Sequence, residues 1–389
     1  MFKKLLIALG GLIGLAAVVF FGFLPGYVES SRNSVVPHDP FPVSAEAAAL
    51  HATLTIGDWH ADSLLWNRDL TKQSDRGQVD LPRLITGNVA VQVFTAVTKS
   101  PAGQNYAENS ADSFDNITPL VIGQMWPPRT WNSLYERAAY QAQRLHGFQA
   151  DAPEMLTIIK TGDDLTAHLA ARAAGSTAVA GLLGLEGAHP FEGDIAKMDG
   201  LWDEGYRLIG LHHFFDNELG GSLHGHGENG LSDFGRAVVA KAVTDGWIID
   251  LAHSSEAVAR DVVAMTDAPL VVSHGGLHGH CPVQRNYPDP LMQMIVASGG
   301  VVGMGYWADV TCGGVTPADV AEMIVLAVET LGEDHVSLGS DYDGSVETGF
   351  DTSELAALTS ALLDAGLTET QIRKVMDDNL IRVMRARLP

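Results

Sequence analysis

Apolar and polar positions follow two regimes along this chain. Leu5 to Leu24 is an unbroken uncharged run, LLIALGGLIGLAAVVFFGFL, preceded by Lys3 and Lys4. A run of about twenty apolar residues crosses a bilayer as a helix, and the positive flank keeps the N-terminus cytoplasmic. A cleaved signal peptide is the competing reading, but the run exceeds a usual signal core and no clear Ala-x-Ala site follows it. The pattern favours an uncleaved anchor over residues 1–26, ended by Pro25-Gly26. Residues 27–50, with their Ser, Pro and Asn, read as a linker to an extracytoplasmic domain, periplasmic or extracellular.

From about Thr53 the regime changes. Short apolar, β-branched runs alternate with longer stretches of helical period, the pattern of βα units around a parallel sheet. Eight runs read as strands: LTIGDWH, VAVQVFTAV, TAVAGLLGLEG, YRLIGLHHF, WIIDLAHS, PLVVSHGG, GGVVGMGYW and HVSLGSDYDG. Eight parallel strands close a barrel, so residues 51–389 are expected to form one (β/α)8, TIM-like barrel. Thr316-Pro317 and the pair Thr368 and Gln371 mark the starts of two outer helices. Lys99 to Ser176 is too long for a simple connection and reads as an elaborated second βα crossover, with Trp126, Pro127 and Pro128 in a loop near the barrel mouth.

Composition narrows the function. The 389 residues, 46% hydrophobic and 18% charged, can bury a large core. Lys plus Arg number 24 against 47 for Asp plus Glu, a formal charge of -23, which argues against a nucleic-acid partner. Two cysteines, Cys281 and Cys312, are too few for a zinc-thiolate framework. One disulfide between them and two free thiols both remain open.

Candidate chemistry sits at the ends of the apolar runs, where the side chains of a barrel enzyme converge on its active face. His60 and Asp62 end the first run, Glu186 the third, His213 the fourth, and His253, His274 and Asp341 the fifth, sixth and eighth. Residues at i and i+2 of a strand point the same way, so His60 and Asp62 can address one ion. Imidazole and carboxylate without thiolate suit Zn²⁺, and other divalent transition metals fit the same donors. With Glu186 shared, His60, Asp62, Glu186, His253 and His274 suffice for two ions. His224, His226, His278 and His280 lie in Gly-rich loops and are expected as mobile loop residues, not ligands. Arg285 fits a two-pronged grip on a substrate carboxylate or, equally, a surface ion pair.

Taken together these motifs resemble the membrane dipeptidases, the renal-dipeptidase-like zinc peptidases of the metal-dependent hydrolase superfamily. The likeness runs from about Thr53 to Met384 through GDWHADSLLW, QVDLPRL, GLEGAHPFEGD, GLHHFFDNELGGS, GWIIDLAHSS, VVSHGG, RNYPD, GSDYDG and NLIRVM. The resemblance implies that His60 and Asp62 bind one zinc, His253 and His274 the other, and that Glu186 bridges them. It implies that His213 contacts the substrate and stabilises the tetrahedral intermediate, that Arg285 grips the C-terminal carboxylate of a dipeptide, and that Asp341 handles its amino end and the proton. The implied reaction is hydrolysis by a hydroxide held between two zinc ions, and a homodimer is an assembly compatible with it. Two departures stand out: His274 is followed by Gly275-Gly276-Leu277 instead of a polar Ser-x-Ala-Arg type stretch, and Asp377-Asp378-Asn379 replaces the usual Gly-Gly-Asn.

Two rivals remain. One is another hydrolase of the same superfamily, acting on a lactam, lactone or N-acyl amino acid. The other is a membrane-tethered metal- or peptide-binding protein without catalysis, against which an intact Asp341 beside a complete ligand set argues.

Overall fold

The computed structural model describes every residue except Met1 and Glu228. Nine parallel strands form one sheet: β1 Ile56–Ala61, β2 Val89–Val97, β3 Leu156–Ile158, β4 Val179–Glu186, β5 Tyr206–Gly210, β6 Ile248–Asp250, β7 Val271–Gly275, β8 Val301–Met304 and β9 Val336–Leu338. The order is β2-β1-β9-β8-β7-β6-β5-β4-β3, and a β2–β4 pairing closes the ring. That seam is continuous, from Val91 opposite Ala180 to Val97 opposite Glu186. Eight strands therefore make a closed TIM-like barrel, and each lies within or beside one of the eight apolar runs. β3 is an addition the sequence pattern missed. It spans only three residues, pairs with the N-terminal part of β4, and belongs to the long crossover after β2.

That crossover carries helices Ile117–Gly123, Leu134–Asp151 and Gly162–Ala173. Trp126 is buried there with Leu65, Trp66, Val97, Ile117 and Val121 in a small core beside the mouth. An apolar cluster lies below the site: Trp59, Val91, Val93, Ala180, Leu182, Leu208, Val271 and Val301 pack with Leu380 and Met384 of the closing helix Asn379–Arg387. Strands buried on both faces read as near-continuous apolar runs, which is why they were legible. The outer helices begin where their caps place them. Thr316 and Thr368 each accept from the third helical N–H, and Asp319 and Gln371 bond back to the cap.

The N-terminal helix differs from the sequence expectation. It runs from Phe2 to Arg32 without stopping at Pro25-Gly26. A π-turn over Val19–Phe23 lets the Leu24 N–H reach the Val19 carbonyl, and Pro25 becomes the second residue of a fresh α segment, where no N–H is required. The stretch that reads as a linker is bonded to the barrel. Glu29 is buried and paired with Arg68 and Arg76. Ser345 N donates to Asn33 Oδ1 at 2.8 Å, and Val36 N to the Thr348 carbonyl at 2.8 Å.

Cys281 and Cys312 are joined in a disulfide, with Cα atoms 5.4 Å apart, so the bridge and not the pair of thiols is the state present.

Candidate metal centre at the barrel mouth

The strand ends bring together all seven ionisable residues that the sequence singled out. His60 is the penultimate residue of β1 with Asp62 just beyond the strand, Glu186 is the last residue of β4, and His274 lies in β7. His213, His253 and Asp341 each follow their strand by three residues. All are buried. Glu186 is the hub: its Oε1 lies 3.6 Å from His60 Nε2, 3.3 Å from His253 Nε2 and 3.5 Å from His274 Nε2, and its Oε2 lies 3.5 Å from His213 Nε2. His60 Nε2 is also 3.5 Å from Asp62 Oδ1 and 3.8 Å from Asp341 Oδ1. Three sets could each hold a cation: His60, Asp62 and Glu186; Glu186, His213 and His253; and His60, His274 and Asp341. His213 and Asp341 thus share the space of the expected ligands.

Orientation comes from residues outside that set. Ser273 Oγ donates to Asp250 Oδ2 at 2.6 Å, which leaves its lone pairs for His274 Nδ1 at 2.8 Å and His60 Nδ1 at 3.2 Å. Both imidazoles then keep a proton on Nδ1, so that His274 turns a bare Nε2 inward and His60 does the same once its second proton is given up, the tautomer a metal needs. Thr95 Oγ1 likewise donates to Asp62 Oδ1 at 2.6 Å. Space at Ser273 is tight: a Cβ on Gly303 or Gly339 would stand 2.1 or 1.9 Å from its carbonyl oxygen. No short sequence motif announced Ser273 and Asp250, because a serine and an aspartate inside apolar runs carry no spacing signature.

The electrostatics ask for a cation. Burial pushes Asp341 up to about 8, reinforced by the Asp62 charge, and burial with the same neighbour holds Glu186 well above its usual range. Burial works to lower His60, but the Asp62 and Glu186 carboxylates outweigh it and raise it to about 10. Burial keeps His213 near 4, and holds His253 and His274 well below their ordinary value with help from Arg285 and His60 respectively. Those three imidazoles are neutral at physiological pH, the form that ligates. His60 Nε2 and Asp341 Oδ1 are buried with no hydrogen-bond partner among the described residues, so the donor set fits divalent cations.

Two more residues complete the site. Arg285 is buried, its Nη2 donates to the His274 carbonyl at 3.0 Å, and its Nε has no partner among the described residues. Among the described residues no carboxylate pairs with this buried guanidinium, so it is buried and not engaged in a surface ion pair with any of them. His224 corrects the expectation of a mobile loop histidine. It is fully buried, stacked on Phe214 at 5.0 Å and 5.4 Å from the His253 ring, with Nδ1 2.8 Å from the Tyr106 carbonyl. Its Gly-rich neighbourhood hid this, since the loop folds inward over Phe214. His226 is exposed and pairs with Glu108, while His278 and His280 are half-buried surface residues.

A closed barrel whose mouth holds converging imidazoles and carboxylates is the layout of a metal-dependent hydrolase. The chain belongs to the membrane dipeptidase family, peptidase family M19, which it matches over residues 44–387. It is 28% identical to the dipeptidase aclJ of Aspergillus oryzae, covering 84% of this chain and 76% of the fungal protein. The crystal structure of the metallopeptidase "dipeptidase AC" of family M19 superposes with a TM-score of 0.70 and 25% identity, covering 86% of this chain and 99% of that one. A Rhodobacter sphaeroides metallopeptidase, liganded with a phosphinate mimic of the dipeptide L-Ala-D-Ala, superposes with a TM-score of 0.70 at 24% identity, covering 86% and 99%, a likeness of fold.

Proposed function

We propose that this protein is a membrane-anchored dipeptidase that uses two zinc ions, with its catalytic domain outside the cytoplasm. The observation that supports the reading is Glu186, whose Oε1 lies within 3.6 Å of the Nε2 atoms of His60, His253 and His274 and which belongs to two of the three candidate cation sets in one buried cluster. His60 and Asp62 would hold one ion, His253 and His274 the other, and Glu186 both. When bound, the ions supply Lewis acidity, making water a nucleophile near neutral pH and polarising the scissile carbonyl.

The remaining steps belong to the chain. Arg285 takes the C-terminal carboxylate of the substrate, and its buried charge sets a short reach that favours dipeptides over longer chains. His213, neutral and 3.5 Å from Glu186, stabilises the developing oxyanion. Asp341, buried with its Oδ1 3.8 Å from His60 Nε2, takes the proton of the attacking water and passes it to the leaving amine. Phe2–Arg32, whose apolar window is wholly exposed on the protein, is the anchor.

Metal analysis joined to a dipeptide panel that includes L-Ala-L-Ala and L-Ala-D-Ala tests the reading. Release of both amino acids by metal-loaded protein, lost on chelation and restored by Zn²⁺, is expected. Bound metal with no cleavage of any member would leave the non-catalytic binder as the better account.

A further inference from the structure

The wall of the active-site cavity includes the membrane anchor. A cavity of about 470 Å³ reaches Asp62, Glu186 and His213 at its inner end and Phe20, Leu24, Pro25, Val28 and Arg32 at its outer side. The contact is close: a Cβ on Gly123 would lie 3.2 Å from the Phe20 carbonyl and 3.4 Å from the Pro25 ring, so the absent side chain lets the crossover helix Ile117–Gly123 seat against the anchor. The buried Glu29, bound to Arg68, which in turn binds Asp343 beside Asp341, fixes the angle at which the anchor leaves the barrel. All of these anchor residues lie before residue 44, outside the stretch matched by the family.

Depth along the helix places the mouth. Leu5 to Leu24 spans about 30 Å at 1.5 Å per residue, the thickness of the hydrocarbon layer, so Leu24 marks its outer boundary and Phe20 lies about 6 Å deeper. Tyr27, 57% exposed, follows at the level where aromatic side chains sit in the headgroups. Whatever packs on Phe20 and Pro25 is therefore at the membrane surface. Two large apolar side chains project there from the same crossover. Met125, two residues beyond Gly123, is 69% exposed and held at φ 59°, a conformation that non-glycine residues seldom adopt. Phe114, 66% exposed, is on the loop whose Ser100, Gly103, Gln104 and Asn116 line the cavity. Apart from the N-terminal helix, these are the two most exposed large apolar residues among those described.

We infer that the rim carrying Phe114 and Met125 rests in the headgroup layer of the bilayer that the anchor crosses, so that the active-site mouth opens onto the membrane surface and substrate enters from the interface. The inference rests on the reading of Phe2–Arg32 as an anchor. Burial of two such side chains at the interface also accounts for a strained, exposed methionine that no protein neighbour covers.

The test uses the full chain in lipid vesicles, with single cysteines at Phe114, Met125, Leu12 or Thr177 carrying a bimane label, the native cysteines being already paired. Thr177 is exposed just before β4, at the far end of the barrel, and reports water. Nitroxides at a shallow acyl position of the lipid are expected to quench the labels at Phe114 and Met125 about threefold more than that at Thr177, as a rim seated 5–10 Å into the boundary requires. Quenching equal to that at Thr177 overturns the inference and leaves the dipeptidase reading standing, because no turnover is measured. Protection from aqueous iodide without nitroxide quenching means that protein covers the rim, a second copy of the chain being the first candidate, and overturns it too. An unquenched Leu12 label shows that the helix is not in the bilayer and removes the anchor and the rim together.

Discussion

The mouth of the barrel and its floor are ends of the same strands, and each buries charge. At the floor Asp377 accepts from Thr55 N at 2.8 Å, and burial pushes its carboxyl up to about 7. One proton removes that charge, and Asn379 beside it donates to the Glu333 and Val336 carbonyls, tying the closing helix to β9. At the mouth, three carboxylates and four imidazoles crowd one space, and His253 and Asp341 adopt positive φ. Protonation of Asp341 and His60 relieves part of that crowding, yet His60 Nε2 and Asp341 Oδ1 stay buried with no hydrogen-bond partner among the described residues, and divalent cations would engage both. The lesson is that a single buried carboxyl with a backbone partner is a local cost relieved by protonation, whereas a cluster whose donor atoms stay unpartnered is built for a ligand.

The contrast can be broken most severely at its hub. Glu186→Ala should lose both the metal content and the dipeptidase activity of the protein, as read by elemental analysis and product release, while the circular dichroism of the barrel persists. His213→Ala and Asp341→Asn come next. Each should keep bound metal yet lose about 10²–10³ in kcat, the usual effect of removing a group that acts on developing charge; unchanged turnover in either would refute its role.

Proton release sharpens the comparison. In the cation-free protein Asp341 titrates near 8 and His60 near 10, so both carry protons at neutral pH that a cation must displace. Affinity for Zn²⁺ should climb as pH rises to about 8, by about tenfold per pH unit for each proton released, and less steeply above that, where Asp341 no longer yields one. Calorimetry in buffers of different ionisation enthalpy counts those protons.

Smaller effects lie away from the site. The disulfide closes a span of 31 residues, and replacing Cys281 and Cys312 with alanine should cost about 3–4 kcal/mol of unfolding free energy on the chain-entropy account. Asp377→Asn should change least. Because the folded carboxyl is raised above its unfolded value, wild-type stability falls as pH rises from about 4 to about 7; the variant escapes that loss and should gain about 1 kcal/mol at pH 8 with none at pH 4. Denaturant titrations at the two pH values measure it.

Much of this architecture was legible along the chain. Each barrel strand is buried on both faces and reads as an apolar run, and six of the eight runs end at or beside an ionisable residue of the mouth, so His60, Asp62, Glu186, His213, His253, His274 and Asp341 could be chosen as candidates by position. The outer helices announced themselves through Thr316 and Thr368, because a cap is a local bond between near neighbours. What remained hidden depended on distance in sequence. His224 is buried only because Phe214 and Tyr106 meet over it, Ser273 turns two imidazoles only because Asp250 takes its proton, and the Cys281–Cys312 bridge depends on a Cα separation that composition does not state. The helix that passes Pro25 and lines the active-site cavity is of the same kind. Local chemistry fixes where an element starts and which way its side chains alternate; which distant groups share a cavity is settled by closure of the ring and by the packing of the crossover on the N-terminal helix.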